Sequence, residues 1–258
     1  MRLSYRTRWL PKAGSTASEY EDAFAPARAR RAQAVARKRF AVADGASESL
    51  LAGYWAKLLV RTFCAATADG APALAFVDAL ERWPSVLGEY FQARDRQGEP
   101  IQWFEEPGLE RGAFSTFVGL QLEGGDGAHR WGAVAVGDSC LLHFRCGELF
   151  GTFPREPGDS FDNAPELICS RTADSGVIAR HARHREGTFQ RGDTFLLVTD
   201  AVAAWFLNAQ AGGRGSWAKQ LFFEAPTRRE FNGWVRDQRS KGSMRNDDVT
   251  VMQICVED

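Results

Sequence analysis

The chain has 258 residues, 44% hydrophobic and 25% charged, with a net charge of −1 at pH 7. The length suits one large domain or two small ones, and the composition is that of an ordinary globular protein. The near-neutral balance excludes a global pull toward nucleic acid or an acidic membrane surface, and the absence of about 18 consecutive apolar residues excludes a helical membrane span.

Met1 to Arg6 is charged and holds no apolar run, so no signal peptide is expected. Cys64, Cys140, Cys146, Cys169 and Cys255 are odd in number and form no CxxC pair, which points to reduced thiols in a cytoplasmic protein. Residues 3–10 and 19–25 read as short strands around a turn at Lys12-Ala13-Gly14-Ser15. Arg28, Arg30, Arg31, Arg37, Lys38 and Arg39 precede the strand Phe40-Ala41-Val42-Ala43. That basic stretch reads as a solvated hairpin loop, with a rim for phosphorylated substrates as the alternative. A helix follows Asp44-Gly45, with Ser47 as its cap and Leu50, Leu51, Tyr54, Trp55, Leu58, Leu59 and Phe63 on its apolar face. A second follows Pro72, with Leu74, Val77, Leu80, Leu87 and Phe91 on one side, and Pro84 is expected to end or kink it.

From Ala113 onward strands dominate: 114–122, 131–136, 140–144 and 148–153, joined by Gly124-Gly125-Asp126-Gly127 and Arg145-Cys146-Gly147. They read as an antiparallel meander. Residues 154–190 are polar and rich in proline and glycine, as in an inserted, partly mobile segment, and His181 and His184 within it read as solvated, with a basic flap that contacts phosphopeptide as the alternative. Phe195 to Thr199 is a buried strand ending at Asp200. Residues 201–207 and 216–224 look helical, Thr227 and Glu230 have capping-box spacing, and the last strand runs from Val249 to Val256. Trp55, Trp205 and Trp234 fall on apolar helical faces and read as core. Runs of strands beside runs of helices argue α+β layering, with two packed sheets whose outer faces the helices cover. One domain over 1–258 is expected.

The chemical signal is positional. Asp44, Asp138 and Asp200 each follow an apolar run, Asp247 and Asp248 precede one, and Asp22 sits in Tyr20-Glu21-Asp22-Ala23-Phe24. Carboxylates where strands leave a core are costly unless paired or metal-bound. Convergent carboxylates with few histidines suit hard cations, Mg²⁺ or Mn²⁺, and two such ions clamp a phosphoryl group and acidify a bridging water. No CxxxxxR loop, GxSxG elbow or Walker A pattern offers another route to phosphoryl or acyl transfer.

Glu21-Asp22-Ala23-Phe24, Val42-Ala43-Asp44-Gly45, Ser115-Thr116, Val136-Gly137-Asp138-Ser139, Leu197-Val198-Thr199-Asp200 and Asp247-Asp248-Val249-Thr250-Val251 resemble, in this order, the type 2C (PPM) protein phosphatases, and Val42 to Ser47 is similar to their shorter bacterial branch. The resemblance implies an α-β-β-α sandwich and hydrolysis of phosphoserine and phosphothreonine by water bridging two metal ions. It implies that Asp44 bridges the metals and that the Gly45 carbonyl and Asp22, with Glu21, serve the second. Asp200 and Asp247 would bind the first, and Asp138 with Asp200 a weaker third. Residues 151–190 would be the family's variable flap. Asp248 competes with Asp247 for the ligand role. No histidine follows Asp44-Gly45, Ala201 replaces a common glycine, and no arginine shortly precedes Glu21, which leaves Lys12 as the candidate phosphate contact. The implied partner is a phosphorylated protein opposite a serine/threonine kinase, with neither nucleic acid nor membrane. An inactive pseudophosphatase that binds phosphoproteins is the alternative, and oligomeric state is left open.

Overall fold

Side chains alternate across a strand, so a strand buried on both faces must lie between two other layers. β4 (Arg37–Ala43) meets that condition: Phe40 and Val42 enter one apolar cluster, Ala41 and Ala43 another, and all four are buried. β12 (Thr194–Val198) behaves likewise, with Phe195 and Leu197 on one side and Leu196 and Val198 on the other. The computed structural model describes residues 1–26, 30–34, 37–66, 74–124, 129–161, 165–171, 180–213 and 227–257.

One sheet has the order β3 (Arg30–Ala34), β1 (Arg2–Leu10), β13 (Val249–Glu257), β12, β8 (Cys140–Arg145), β9 (Glu148–Phe153). The other runs β11 (Arg183–Thr188), β7 (Arg130–Val136), β6 (Phe117–Glu123), β4, β2 (Ala23–Ala25). A small ladder joins β5 (Phe114–Ser115) to β10 (Ile168–Cys169). Pairing is antiparallel in both large sheets. Phe40, Val42, Leu120, Phe195, Leu197 and Ile254 pack between the sheets. On the outer face of the five-stranded sheet lie α1 (Ala52–Ala65) and α2 (Leu74–Gln97), through Trp55, Leu59, Phe63, Phe76 and Trp83. On the other outer face α4 (Asp200–Ala211) and α5 (Arg228–Ser240) bring Val202, Phe206, Phe231 and Val235 against Leu142, Leu196 and Val251. The α-β-β-α sandwich expected above is therefore the fold.

Several local expectations change. Ser47 does not cap α1; the helix enters through Leu51 in a left-handed conformation (φ 64°), and the Ser47 hydroxyl donates to Glu21 at 2.6 Å. Pro84 does not end α2, because Phe76, Ala79 and Trp83 before it and Val86 and Leu87 after it join one apolar cluster while Pro84 itself faces outward. The meander divides: β6 and β7 belong to one sheet, β8 and β9 to the other. Gly137 makes the crossing at φ +90°, and a Cβ there would stand 2.7 Å from the Glu166 carbonyl oxygen. Only Ala23–Ala25 of the 19–25 run is strand. Within the expected flap, residues 183–188 are an edge strand paired with β7. The Thr227/Glu230 capping box forms as read. The predicted helix at 216–224 and most of the turn at 124–127 lie outside the described residues.

Candidate metal centre

Register brings the acidic residues to one edge of the sandwich. Ala23 at the start of β2 pairs with Ala43 at the end of β4, and Val42 pairs with Val118 near the start of β6. Phe117 pairs with Val136 at the end of β7, so Asp44 and Asp138 leave the same edge. In the other sheet Cys140 pairs with Val198, and Val198 with Val251. Asp138, Asp200 and Asp247 therefore flank three neighbouring strands at one end. Asp44, Asp138, Asp200 and Asp247 line a single cavity of about 450 Å³.

The segments that carry Asp44, Asp138 and Asp200 are held from behind. The Asp44 carbonyl accepts from the Thr116 N–H at 2.9 Å and the Ser115 hydroxyl at 2.8 Å. Gly45 bridges to Ser115, and a Cβ on it would lie 2.8 Å from backbone atoms of Glu21 and Ala52, so only glycine lets these segments approach. Thr116 and Ser139 share a hydroxyl hydrogen bond of 2.7 Å that ties the β5–β6 junction to the loop carrying Asp138. Asp200 opens α4, where the helix N-terminus favours negative charge, and accepts from the Ala201 N–H. Ala201 is buried in the outer apolar cluster.

Asp247 and Asp248 separate cleanly. Asp247 lines the cavity. Asp248 is buried, accepting from the Lys12 N–H at 2.8 Å with one oxygen and the Glu21 N–H at 2.7 Å with the other. Asp22 does not line the cavity. It is buried, with Oδ2 accepting from Thr250 at 2.6 Å and Thr199 at 3.1 Å, while Oδ1 has no hydrogen-bond partner.

Burial and mutual repulsion act together on this array. Burial, then the charges of Asp22, Asp200, Asp247 and Asp138, push the Asp44 carboxyl well above the usual range. Asp22 is raised by burial and then by Asp248. Asp200 is raised to about 7 by burial and then by Asp138 and Asp247, against the Ala201 N–H and the Arg245 charge. Carboxylates crowded in this way call for a compensating cation, and the buried, unpartnered Oδ1 of Asp22 is an oxygen donor in reserve. The charged and polar lining contains no histidine or cysteine among the described residues, so the donor set is all oxygen and fits Mg²⁺ or Mn²⁺. As the side chains stand, no three His, Cys, Asp or Glu residues among those described are grouped tightly enough to hold one ion. The residues fit the ions by chemistry and by shared cavity.

The cations of the cavity are Arg111 and Arg245. Arg245 stands 3.6 Å from Asp200, and its other nitrogen donates to the Phe161 carbonyl. Lys12 does not line the cavity: its ammonium donates to Ser47 at 3.0 Å and lies 3.5 Å from Glu21. His181 pairs with Glu166 at 3.1 Å and His184 is exposed on β11; neither lines the cavity. Sequence reading missed both arginines. Arg245, two residues ahead of Asp247, carried a weak signal by proximity; Arg111, at the end of α3 (Glu106–Arg111), carried none.

Solved structures share the arrangement of elements. The photosystem II phosphatase PBCP is 16% identical over 99% of each chain, with a TM-score of 0.56. The catalytic domain of the serine/threonine protein phosphatase PstP, solved with two manganese ions, is 17% identical over 100% of this chain and 99% of that one, with a TM-score of 0.53. PppA, a key regulatory component of T6SS in Pseudomonas aeruginosa, is 16% identical over 98% and 99%, with a TM-score of 0.52. No protein-family model matches the chain, and neither does any curated protein. The likeness is therefore one of fold: this chain has the fold of the PPM-type phosphatases.

Proposed function

We propose that this chain is a PPM-family phosphatase that hydrolyses phosphoserine and phosphothreonine on proteins, opposite a serine/threonine kinase. The observation that carries the reading is the convergence of Asp44, Asp138, Asp200 and Asp247, from ends of both sheets, on one cavity that also holds two arginines. Asp44, Asp200 and Asp247, with the Gly45 carbonyl, would hold two divalent ions, Asp22 would support them from its buried position, and Asp138 would serve a weaker third. Bound there, Mg²⁺ or Mn²⁺ supplies Lewis acidity and lowers the pKa of water.

The chain's own residues do the rest. Ser115 and Thr116 fix the Asp44 backbone, so its carboxylate is presented by a rigid strand end rather than a loop. Arg245, 3.6 Å from Asp200, would hold phosphoryl oxygens together with Arg111 of the same cavity. A guanidinium donates two parallel hydrogen bonds to such a group, which orients phosphorus for in-line attack. Thr199 and Thr250 donate their hydroxyls to Asp22, and Tyr20 shares a hydroxyl hydrogen bond with Thr250 behind them.

The test is hydrolysis of p-nitrophenyl phosphate and a phosphothreonine peptide by purified protein. Activity is expected with Mn²⁺, is lost with EDTA, and is absent from Asp44→Ala. A wild-type protein inactive with every divalent ion would instead indicate a phosphoprotein-binding regulator.

A further inference from the structure

Two large aromatic side chains stand in water shortly before the helix that reaches the cavity. Trp103 is 80% exposed and Phe104 64%, their rings edge to face at 5.9 Å. They sit in the connection between α2 and α3, and that connection is braced. Arg94, near the end of α2, donates to the carbonyls of Glu99 and Pro100 and to both carboxylate oxygens of Glu105, at 3.0 and 3.3 Å. Glu105 in turn accepts from the Gln102 N–H at 2.8 Å. The backbone is held on either side of the pair, while neither ring folds inward. Two adjacent exposed aromatic rings on a fixed support form an apolar patch available for an interaction.

The pair is joined to the cavity through α3. α3 begins two residues after Phe104, its Gly108 packs on Leu50 of the segment following Gly45, and Gly108 and Arg111 line the cavity. Six helical residues span about 9 Å. Between the pair and the cavity Glu106 and Glu110 are exposed and Glu48 lies on the cavity wall, against the exposed cation Arg111, so acidic groups outnumber basic ones there.

We propose that Trp103 and Phe104 form the docking surface for the phosphoprotein substrate. They take an apolar side chain that lies, by the extended rise of a strand, about three to five residues from the phosphorylated one, and the acidic surface between favours lysine or arginine in the linking segment. This rests on the phosphatase reading above. A second copy of the chain is the poorer occupant. Two aromatic rings supply at most about 500 Å², against the roughly 800 Å² per partner of a stable interface.

The experiment compares wild type with the double variant Trp103→Ala/Phe104→Ala. The substrates are p-nitrophenyl phosphate and two Arg-flanked phosphothreonine peptides, one with leucine about four residues from the phosphate and one with serine in its place. For wild type, KM is expected about tenfold lower on the leucine peptide; the double variant loses that advantage with kcat and the small ester unchanged. Equal KM on both peptides in wild type, or an advantage that survives in the variant, overturns the proposal. If wild type fails on p-nitrophenyl phosphate with Mn²⁺, the phosphatase reading fails instead. Anisotropy of a labelled leucine phosphopeptide then reads docking alone, with loss of binding in the variant supporting it and unchanged binding overturning it. Sedimentation showing a dimer that the double variant abolishes would assign the surface to self-association and also overturn the proposal.

Discussion

Adjacent aspartates do different work here. Asp247 faces the cavity, whereas both oxygens of Asp248 accept backbone N–H groups that hold the loop after β1 and the segment before β2. Asp247→Asn is expected to weaken Mn²⁺ binding by titration calorimetry with little change in the urea midpoint. Asp248→Asn turns one acceptor into a donor facing an N–H, so it should destabilise by about 1–3 kcal/mol in urea. The reverse ranking in calorimetry would return the ligand role to Asp248. The proposed phosphate contact divides similarly. Arg245→Ala is expected to raise KM for a phosphopeptide about 10-fold or more, as loss of a charge-assisted hydrogen bond does. Lys12→Ala, whose ammonium is engaged with Ser47 and Glu21, should leave KM near wild type.

At the scale of elements, the site depends on how strand ends and helices are clamped. Arg239 of α5 donates to the Pro11 carbonyl at 2.9 Å and to the Asp247 carbonyl, so an outer helix sets the backbone of a cavity residue. The α5 N-terminus carries the capping box: Glu230 N–H donates to the Thr227 hydroxyl at 3.2 Å, and Thr227 N–H to Glu230 at 3.0 Å. Thr227→Ala should cost about 1 kcal/mol in urea unfolding, with metal affinity unchanged if α5 remains docked through Phe231 and Val235. α2 shows packing overriding propensity: its apolar contacts with the α1 layer carry the helix through Pro84.

Across the whole molecule, the two ends of the sandwich carry opposite electrostatics. At the acidic end, burial and like charges raise Asp44, Asp22 and Asp200. At the other end of β8, buried Asp193 accepts from His143 at 2.9 Å and Arg145 at 2.8 Å. Burial is the largest single influence on Asp193 and pushes it up, but Arg145, His143 and the Gln190 N–H together hold it below the usual range. Burial lowers His143, against the pull of Asp193. Both shifts have the same consequence. As pH falls below the unfolded histidine value near 6.5, the unfolded chain takes up a proton that the native His143 resists. Asp193 adds a second loss as pH falls through its depressed native value. His143 therefore contributes a loss of urea stability between about pH 6.5 and 5, read as the difference between wild type and His143→Gln, whereas the raised Asp44, Asp22 and Asp200 gain stability over the same range. An unaltered slope would place the titrating groups elsewhere. Divalent ions act on the other end: Mn²⁺ at 100 times its Kd should add about 2.7 kcal/mol of stability to wild type, read as a higher Tm, and much less to Asp44→Asn.

Much of this was legible along the chain because its causes are local. The two-residue period of Phe40–Ala43 and Phe195–Val198 marks strands buried on both faces, and acids at the ends of such strands mark a shared edge only if the strands are neighbours. Pattern alone reached the sandwich, the capping box and the candidate acids. Pairing between distant segments lay beyond it: the crossing at Gly137 that splits β7 from β8, the edge strand β11, and the split between Asp247 and Asp248 all follow from contacts made by residues far apart in sequence. Arg111 and Arg245 reach the cavity for the same reason. Periodicity records which face a residue turns inward, but what it meets there is set by the closure of long loops around a common core.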